Sequence, residues 1–264
     1  MSTELTTQLP EHLQRAIANK GNQASGLEEM ANYIVPPRLK VVQDKKDDER
    51  FEDVPSGTVV VIPQMLRLCG KGESFRFTPI YAWDEFTIHN PYQMRSTLPF
   101  IRERTVDPKS EIADRARNRE EFPCPESEAH FCKYVTHLNF LLAIHDVPDL
   151  AGIEVLISFH TGEFKTGQHL LNLLRMRTNT GVPMYGVVLE ATPGKHTSGT
   201  NNWMGLDISN PTADYEPGPW VTDGALYGRF EAAHELAKQN KARIQADHED
   251  APQDAATAPE SDTL

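Results

Sequence analysis

Cysteine is scarce in this chain of 264 residues: only Cys69, Cys124 and Cys132 occur. An odd, sparse set excludes the disulfide framework of a small secreted domain and predicts a reduced, cytoplasmic protein. Long apolar runs are missing as well. No stretch approaches the roughly 20 apolar residues that span a bilayer, and Met1 to Gly21 has neither an apolar core nor a cationic start, so no signal peptide is expected. Positive charge is in deficit, with 26 Lys and Arg against 38 Asp and Glu, a net charge of −12. That balance argues against a general nucleic-acid coat, although the placement of charge matters more than its sum. Motifs of catalysis are absent too. There is no Gly-x-Ser-x-Gly elbow and no His-Glu-x-x-His, and Gly70-Lys71-Gly72 lacks the rest of a phosphate loop. Asp84 and Glu85, adjacent on an extended segment, point to opposite faces and make no acid pair. No enzyme is expected.

What is present divides the chain into four parts. Residues 1–50 read as a flexible N-terminal arm. Residues 51–210 carry the strand signals, interrupted by an insertion at 90–130 that has no strand signal and is rich in arginine (Arg95, Arg102, Arg104, Arg115, Arg117, Arg119). Residues 211–246 form a Pro-rich linker and a C-terminal helix, amphipathic through Leu226, Phe230, Leu236 and Ile244. Residues 247–264 hold six acidic side chains and no Lys or Arg, with too little apolar surface to fold: a disordered acidic tail is expected.

Within the second part, the β-branched run Gly57–Met65 reads as a buried strand, and Phe75–His89 as a longer strand or pair of strands in which Phe75, Phe77, Tyr81 and Trp83 share parity. Phe131–His145 alternates, with Leu138, Phe140, Leu142 and Ile144 inward and Lys133, His137 and Asn139 on a polar face. Ile153–His160 repeats that logic. Thr166–Arg177 switches to helical spacing, with Leu170, Leu173 and Leu174 on one face and Arg175 and Arg177 in the last turn. Met184–Thr192 and Trp203–Ser209 are strands on either side of a polar loop, 193–202. Three strands, a helix and two strands predict a mainly β protein with one or two helices. The specific expectation is an OB-fold-like five-stranded barrel with an inserted loop region and a C-terminal helix, its binding face flanked by 90–130 and 193–202.

The block Pro37-Arg38-Leu39-Lys40-Val41-Val42-Gln43, the 131–209 strand–helix–strand core and the charged C-terminal segment together resemble the single-stranded DNA-binding proteins of tailed bacteriophages. The resemblance covers residues 35–210 and the tail. It implies an OB-fold that holds the strand, an acidic tail that contacts replication or recombination proteins, and a host cytoplasmic location. The 90–130 insertion departs from that pattern, and no single residue is assigned by it.

Face and loop arguments supply the candidate residues. Binding single strands without sequence preference requires cations along the phosphates and aromatic faces under the bases. Trp203 is opposite in parity to Met204, Leu206 and Ile208, so it points away from the core, though packing under the 211–219 linker is an equal alternative. Lys133, His137, Asn139, Lys165, Lys195, His196, Arg102 and Arg104 complete the set of predicted DNA contacts. Cys124, His130 and Cys132 are candidate zinc ligands, although their spacing is not that of a short knuckle; three small thiols without metal is the plainer reading. Two other functions stay open, a structural or assembly protein of a phage particle and a nuclease with an unrecognised site. A homodimer is compatible with all of them.

Overall fold

The computed structural model describes residues 36–44, 49–94, 96–145, 147–150, 153–211 and 219–239. The arm up to residue 35, Arg95, the acidic segment 247–264 and Ile244 lie outside the described residues. Those residues form a mainly β protein, with one curled sheet of ten strands and three α-helices. The strands are β1 (Arg38–Val41), β2 (Val59–Ile62), β3 (Leu66–Cys69), β4 (Phe75–His89), β5 (Ile101–Thr105), β6 (Glu121–Cys124), β7 (Ser127–Ile144), β8 (Glu154–Phe159), β9 (Leu189–Ser198) and β10 (Asn201–Ser209). The helices are α1 (Glu111–Arg117), α2 (Phe164–Thr178) and α3 (Gly224–Gln239).

The sheet runs β10-β9-β4-β7-β8-β1-β2-β3, with β5 added to β4 and β6 to β7. Ten strands replace the five expected. Of the additions, β2 lies inside the β-branched run Gly57–Met65 that reads as a buried strand; β1 and β3 are too short to read as strands, and β5 and β6 come from the insertion. β1 lies parallel to β8, with Arg38 opposite Leu156, so the Pro36-Pro37 entry leads straight into the sheet. Just past β1, Gln43 takes the place of a missing strand partner. Its side-chain amide donates to the Met204 carbonyl (2.8 Å) and accepts from the Met204 N–H (2.9 Å). This one side chain ties β1 to β10 and curls the sheet toward closure.

The concave face holds the main core. Phe75, Phe77, Phe140, Leu142, Val155, Ile157, Phe159, Leu206 and Ile208 meet there and are capped by Leu170, Leu173 and Leu174 of α2. α2 approaches closely at Gly167, where a Cβ would stand 2.8 Å from the Phe159 Cβ; alanine has no room there. The expected parity of β4 breaks at its centre. Pro79 has no N–H for the ladder, and a bulge between Pro79 and Tyr81 shifts the phase. Phe75 and Phe77 therefore stay in the concave core, while Tyr81 and Trp83 turn to the convex face. There, with Ile80, Leu141, Ala143 and Leu156, they receive Phe230 and Ala237 of α3. Asp223 starts α3 by accepting from the N–H groups of Ala225 (2.8 Å) and Leu226 (3.1 Å).

The insertion is ordered, and its strands correct the expectation of none. β4 and β7, paired from Phe77–Ile144 out to His89–Lys133, run beyond the rest of the curled sheet as a two-stranded ribbon. β5 and β6 widen the ribbon, and α1 lies on it through Ala113 and Ala116 against Phe86. The polar loop 193–202 is also strand. β9 and β10 pair from Glu190–Ser209 to Ser198–Asn201, leaving a tight turn at Gly199 and Thr200.

Candidate nucleic-acid interface

Where the ribbon leaves the curled sheet, β7 loses its outer neighbour. Its ladder with β6 ends at Lys133, with one further bond from the Tyr134 N–H to the Glu120 carbonyl (3.0 Å), and its pairing with β8 begins only at Leu138. The edge between them opens into a cleft of about 450 Å³. One wall comes from α1 and the turn after it, through Arg117 and Arg119. The floor is Lys133 to Thr136, and the far wall is Thr161, Phe164 and Gln168 at the start of α2. Glu121 lies at the rim.

Three cations face this space. Lys133 pairs with Glu121 (2.8 Å), and Arg117 pairs with Asp114 (3.1 Å) while its guanidinium lies 4.8 Å above the Phe86 ring. Both pairs are exposed, so water and salt screen them, and a phosphate can compete for the cations. Arg119 is exposed, with a left-handed backbone (φ 56°) that ends the α1 turn. Tyr134 and Phe164, both half-buried, supply aromatic surface.

The far wall continues to the β9–β10 hairpin. Trp203 is half-buried and lies on the side of β10 away from the core, as its parity predicts. It packs on Gly162, next to Thr161 of the cleft; a Cβ at Gly162 would meet the indole at 3.3 Å. Residues 212–218 of the linker expected as its alternative partner lie outside the described residues. His196, its cross-strand neighbour, meets the indole edge-on with ring centres 5.8 Å apart and bonds Asp207 (3.1 Å). Lys165 in the first turn of α2 and Lys195 on the hairpin are exposed. Of the residues named from sequence, Lys133, Lys165, His196 and Trp203 thus lie at or beside this rim, whereas Lys195, paired with Met204, is on the other face of the hairpin. Arg117, Arg119, Tyr134, Phe164 and Gln168 were missed.

His137, Asn139 and Arg104 go elsewhere. The polar face of β7 is covered, not solvated: Asn139 is fully buried and His137 is 5% exposed. The Asn139 amide donates to Glu85 (3.2 Å), and Glu85 pairs with Arg104 (3.4 Å). Burial raises the Glu85 carboxyl pKa; Arg104, Asn139 and Arg38 oppose that rise. His137 exchanges hydrogen bonds with Ser158 (3.1 Å), Thr87 (2.9 Å) and His89 (3.1 Å), and His160 stacks close by at 4.5 Å. Burial, then the neighbouring histidines and arginines, hold its pKa well below the ordinary imidazole value, so it stays neutral. Arg102, expected as a DNA contact, is held by both carboxylate oxygens of Glu126 (2.8 Å each) on the ribbon.

Among the described residues, no group of three or more His, Cys, Asp and Glu side chains is placed to hold a metal ion. Cys124 and Cys132 bond Met94, Glu126 and Asn90 in the ribbon, so the set with His130 expected for zinc is not assembled.

Glu163, between Gly162 and Phe164, is the titrating group of this rim. Burial pushes its carboxyl up to about 7. The folded chain therefore binds a proton there that the unfolded chain releases, and stability falls as pH rises from the ordinary carboxyl value to about 7. Glu163→Gln removes this slope. The variant is expected to gain up to about 3 kcal/mol over the parent at pH 8 and little at pH 4.5. Parallel thermal melts across that range check it; equal gains at both ends would show that Glu163 does not titrate this way.

No match was found among protein-family models, curated proteins or solved structures.

Proposed function

We propose that this chain binds single-stranded DNA without sequence preference, along the rim from the ribbon cleft to the β9–β10 hairpin. The carrying observation is the cleft itself. It is a gap in the β7 edge where Arg117, Arg119 and Lys133 surround two aromatic rings, and it continues to Trp203. Cations spaced along a groove suit a phosphate backbone, and partly accessible aromatic rings suit unpaired bases, which a duplex does not present.

The strand connectivity supports the same reading. β4, β7 and β8 are neighbours in that order, α2 follows β8, and β9 joins β10 to the other side of β4. We read that order as OB-fold-like, with β1, β2 and β3 added to the sheet beyond β8. The cleft and the hairpin then come from the two connections that flank the binding face of such a barrel. The acidic segment 247–264 is read as the docking element for replication or recombination proteins, on its charge alone. The setting proposed is phage-type DNA replication or recombination, in the host cytoplasm.

A titration of the full chain with fluorescent oligo-dT tests the reading. Three phosphate contacts predict that log affinity falls with log salt at a slope of about −2. Trp203→Ala is expected to weaken binding roughly tenfold through lost stacking, with the fold retained. Equal affinity for duplex and single strand, or no binding at low salt, would overturn the proposal.

A further inference from the structure

We propose that Cys124, Cys132 and Met94 form a binding site for a soft monovalent d10 cation, copper(I) in the first instance. The three side chains meet inside the ribbon, away from the DNA rim. Cys124 is 4% exposed and Cys132 fully buried, in an apolar pocket completed by Ile88, Leu98, Ile112 and Phe122. The Cys124 sulfur lies 3.8 Å from the Met94 sulfur. Cys124 and Cys132 belong to the same buried cluster, and Met94 packs against it.

This spacing fits a three-coordinate centre. With metal–sulfur bonds of about 2.3 Å, three sulfurs in a trigonal plane stand about 4 Å apart. The donor set also selects the metal. Thiolate and thioether suit copper(I), whereas zinc requires a fourth ligand, and none of His, Asp or Glu completes a site here. Glu126 is the one carboxylate in contact, 3.3 Å from the Cys124 sulfur, and both of its oxygens are held by Arg102.

The proton balance is simple. Two thiols and one Cu⁺ give a bis-thiolate complex of net charge −1 and release two protons, with the Met94 sulfur as a neutral third donor. No electron is transferred. Arg102, close enough to act electrostatically on both cysteines, is placed to offset the new negative charge. The Asn90 side chain, 3.6 Å from the Cys132 sulfur, holds that sulfur in place.

The test is an anaerobic titration of the full chain with Cu(I), ascorbate as reductant, against a chromophoric Cu(I) chelator. Uptake of one Cu(I) per chain is expected, unchanged in Cys69→Ser, where a lone buried thiol of the barrel core is removed. Met94→Leu should weaken binding about tenfold or more, and Cys124→Ser with Cys132→Ser should abolish it. A measurement without variants guards against misfolding: one equivalent of Ag(I) should raise the melting temperature of the intact chain, and Zn(II) should not. No stoichiometric uptake by the intact chain overturns the proposal, as does undiminished uptake by a natively folded double-serine variant.

Discussion

Replacing the cations of the ribbon cleft, by Arg117→Gln with Arg119→Glu and Lys133→Glu, is expected to weaken oligo-dT binding by roughly 100-fold or more at low salt. The three side chains converge on one gap in the β7 edge, so a strand that enters it meets all of them. Each lost phosphate contact removes a counterion-release contribution, and each new carboxylate adds repulsion. The deficit should therefore shrink as salt rises and screening shortens the reach of these charges. Stability should change little, because the pairs broken are exposed: Lys133 with Glu121 and Arg117 with Asp114. Lys238→Glu on α3 is the control. It reverses one exposed charge outside the cleft and should leave affinity within about twofold at moderate salt. If the cleft variant binds as tightly as the parent while Trp203→Ala does not, the strand runs over the hairpin and avoids the gap.

The cleft was not legible in the sequence, and the reason is geometric. It exists because the β7 ladder with β6 stops at Lys133 and its ladder with β8 starts at Leu138, and periodicity cannot reveal a register. Its arginines were visible as a cluster in the 90–130 insertion, but a charge-rich segment without alternation reads as loop. Once folded, that segment is β5, α1 and β6, all short and held by the long β4 and β7 beside them. The long strands were legible. β4 spans Phe75–His89 as read, because fifteen residues of aromatic and β-branched pattern leave little choice. Its one misreading, the face of Tyr81 and Trp83, traces to Pro79 and the bulge beside it. For β7 the alternation gave two faces correctly but not which of them water reaches. His137 and Asn139 were assigned to solvent because they are polar. A polar side chain is equally at home inside when its partners are present, and these partners, Glu85, Thr87 and Ser158, come from strands distant in sequence. Trp203 was placed correctly by parity because β10 is short, regular and free of bulges.

That buried face carries the largest expected effect on stability. Arg104→Met should destabilise the fold by about 3–5 kcal/mol, the usual consequence of breaking a buried ion pair from one side. Glu85 is 1% exposed, and Arg104 is its ion-pair partner at 3.4 Å, with the Asn139 amide on the other oxygen. Arg104 is the largest influence holding the Glu85 pKa down against burial, so its loss drives that pKa further up. The sign of the pH dependence follows. With a folded-state pKa raised above the unfolded value, the penalty is absent at acid pH, where Glu85 is protonated in both states. Relative to the parent it grows as pH rises through the parent's own raised Glu85 pKa toward the higher one of the variant, because the two unfolded chains titrate alike. The variant should therefore lie closest to the parent near pH 4.5 and furthest from it near pH 8. Glu85→Gln in the Arg104→Met background removes the stranded charge and should recover most of the loss at pH 8. Denaturant melts of the parent, the single and the double variant at the two pH values read all of this. If Arg104→Met costs the same at both, or if Glu85→Gln recovers nothing, the face is held by packing and hydrogen bonds, and the ion pair contributes little.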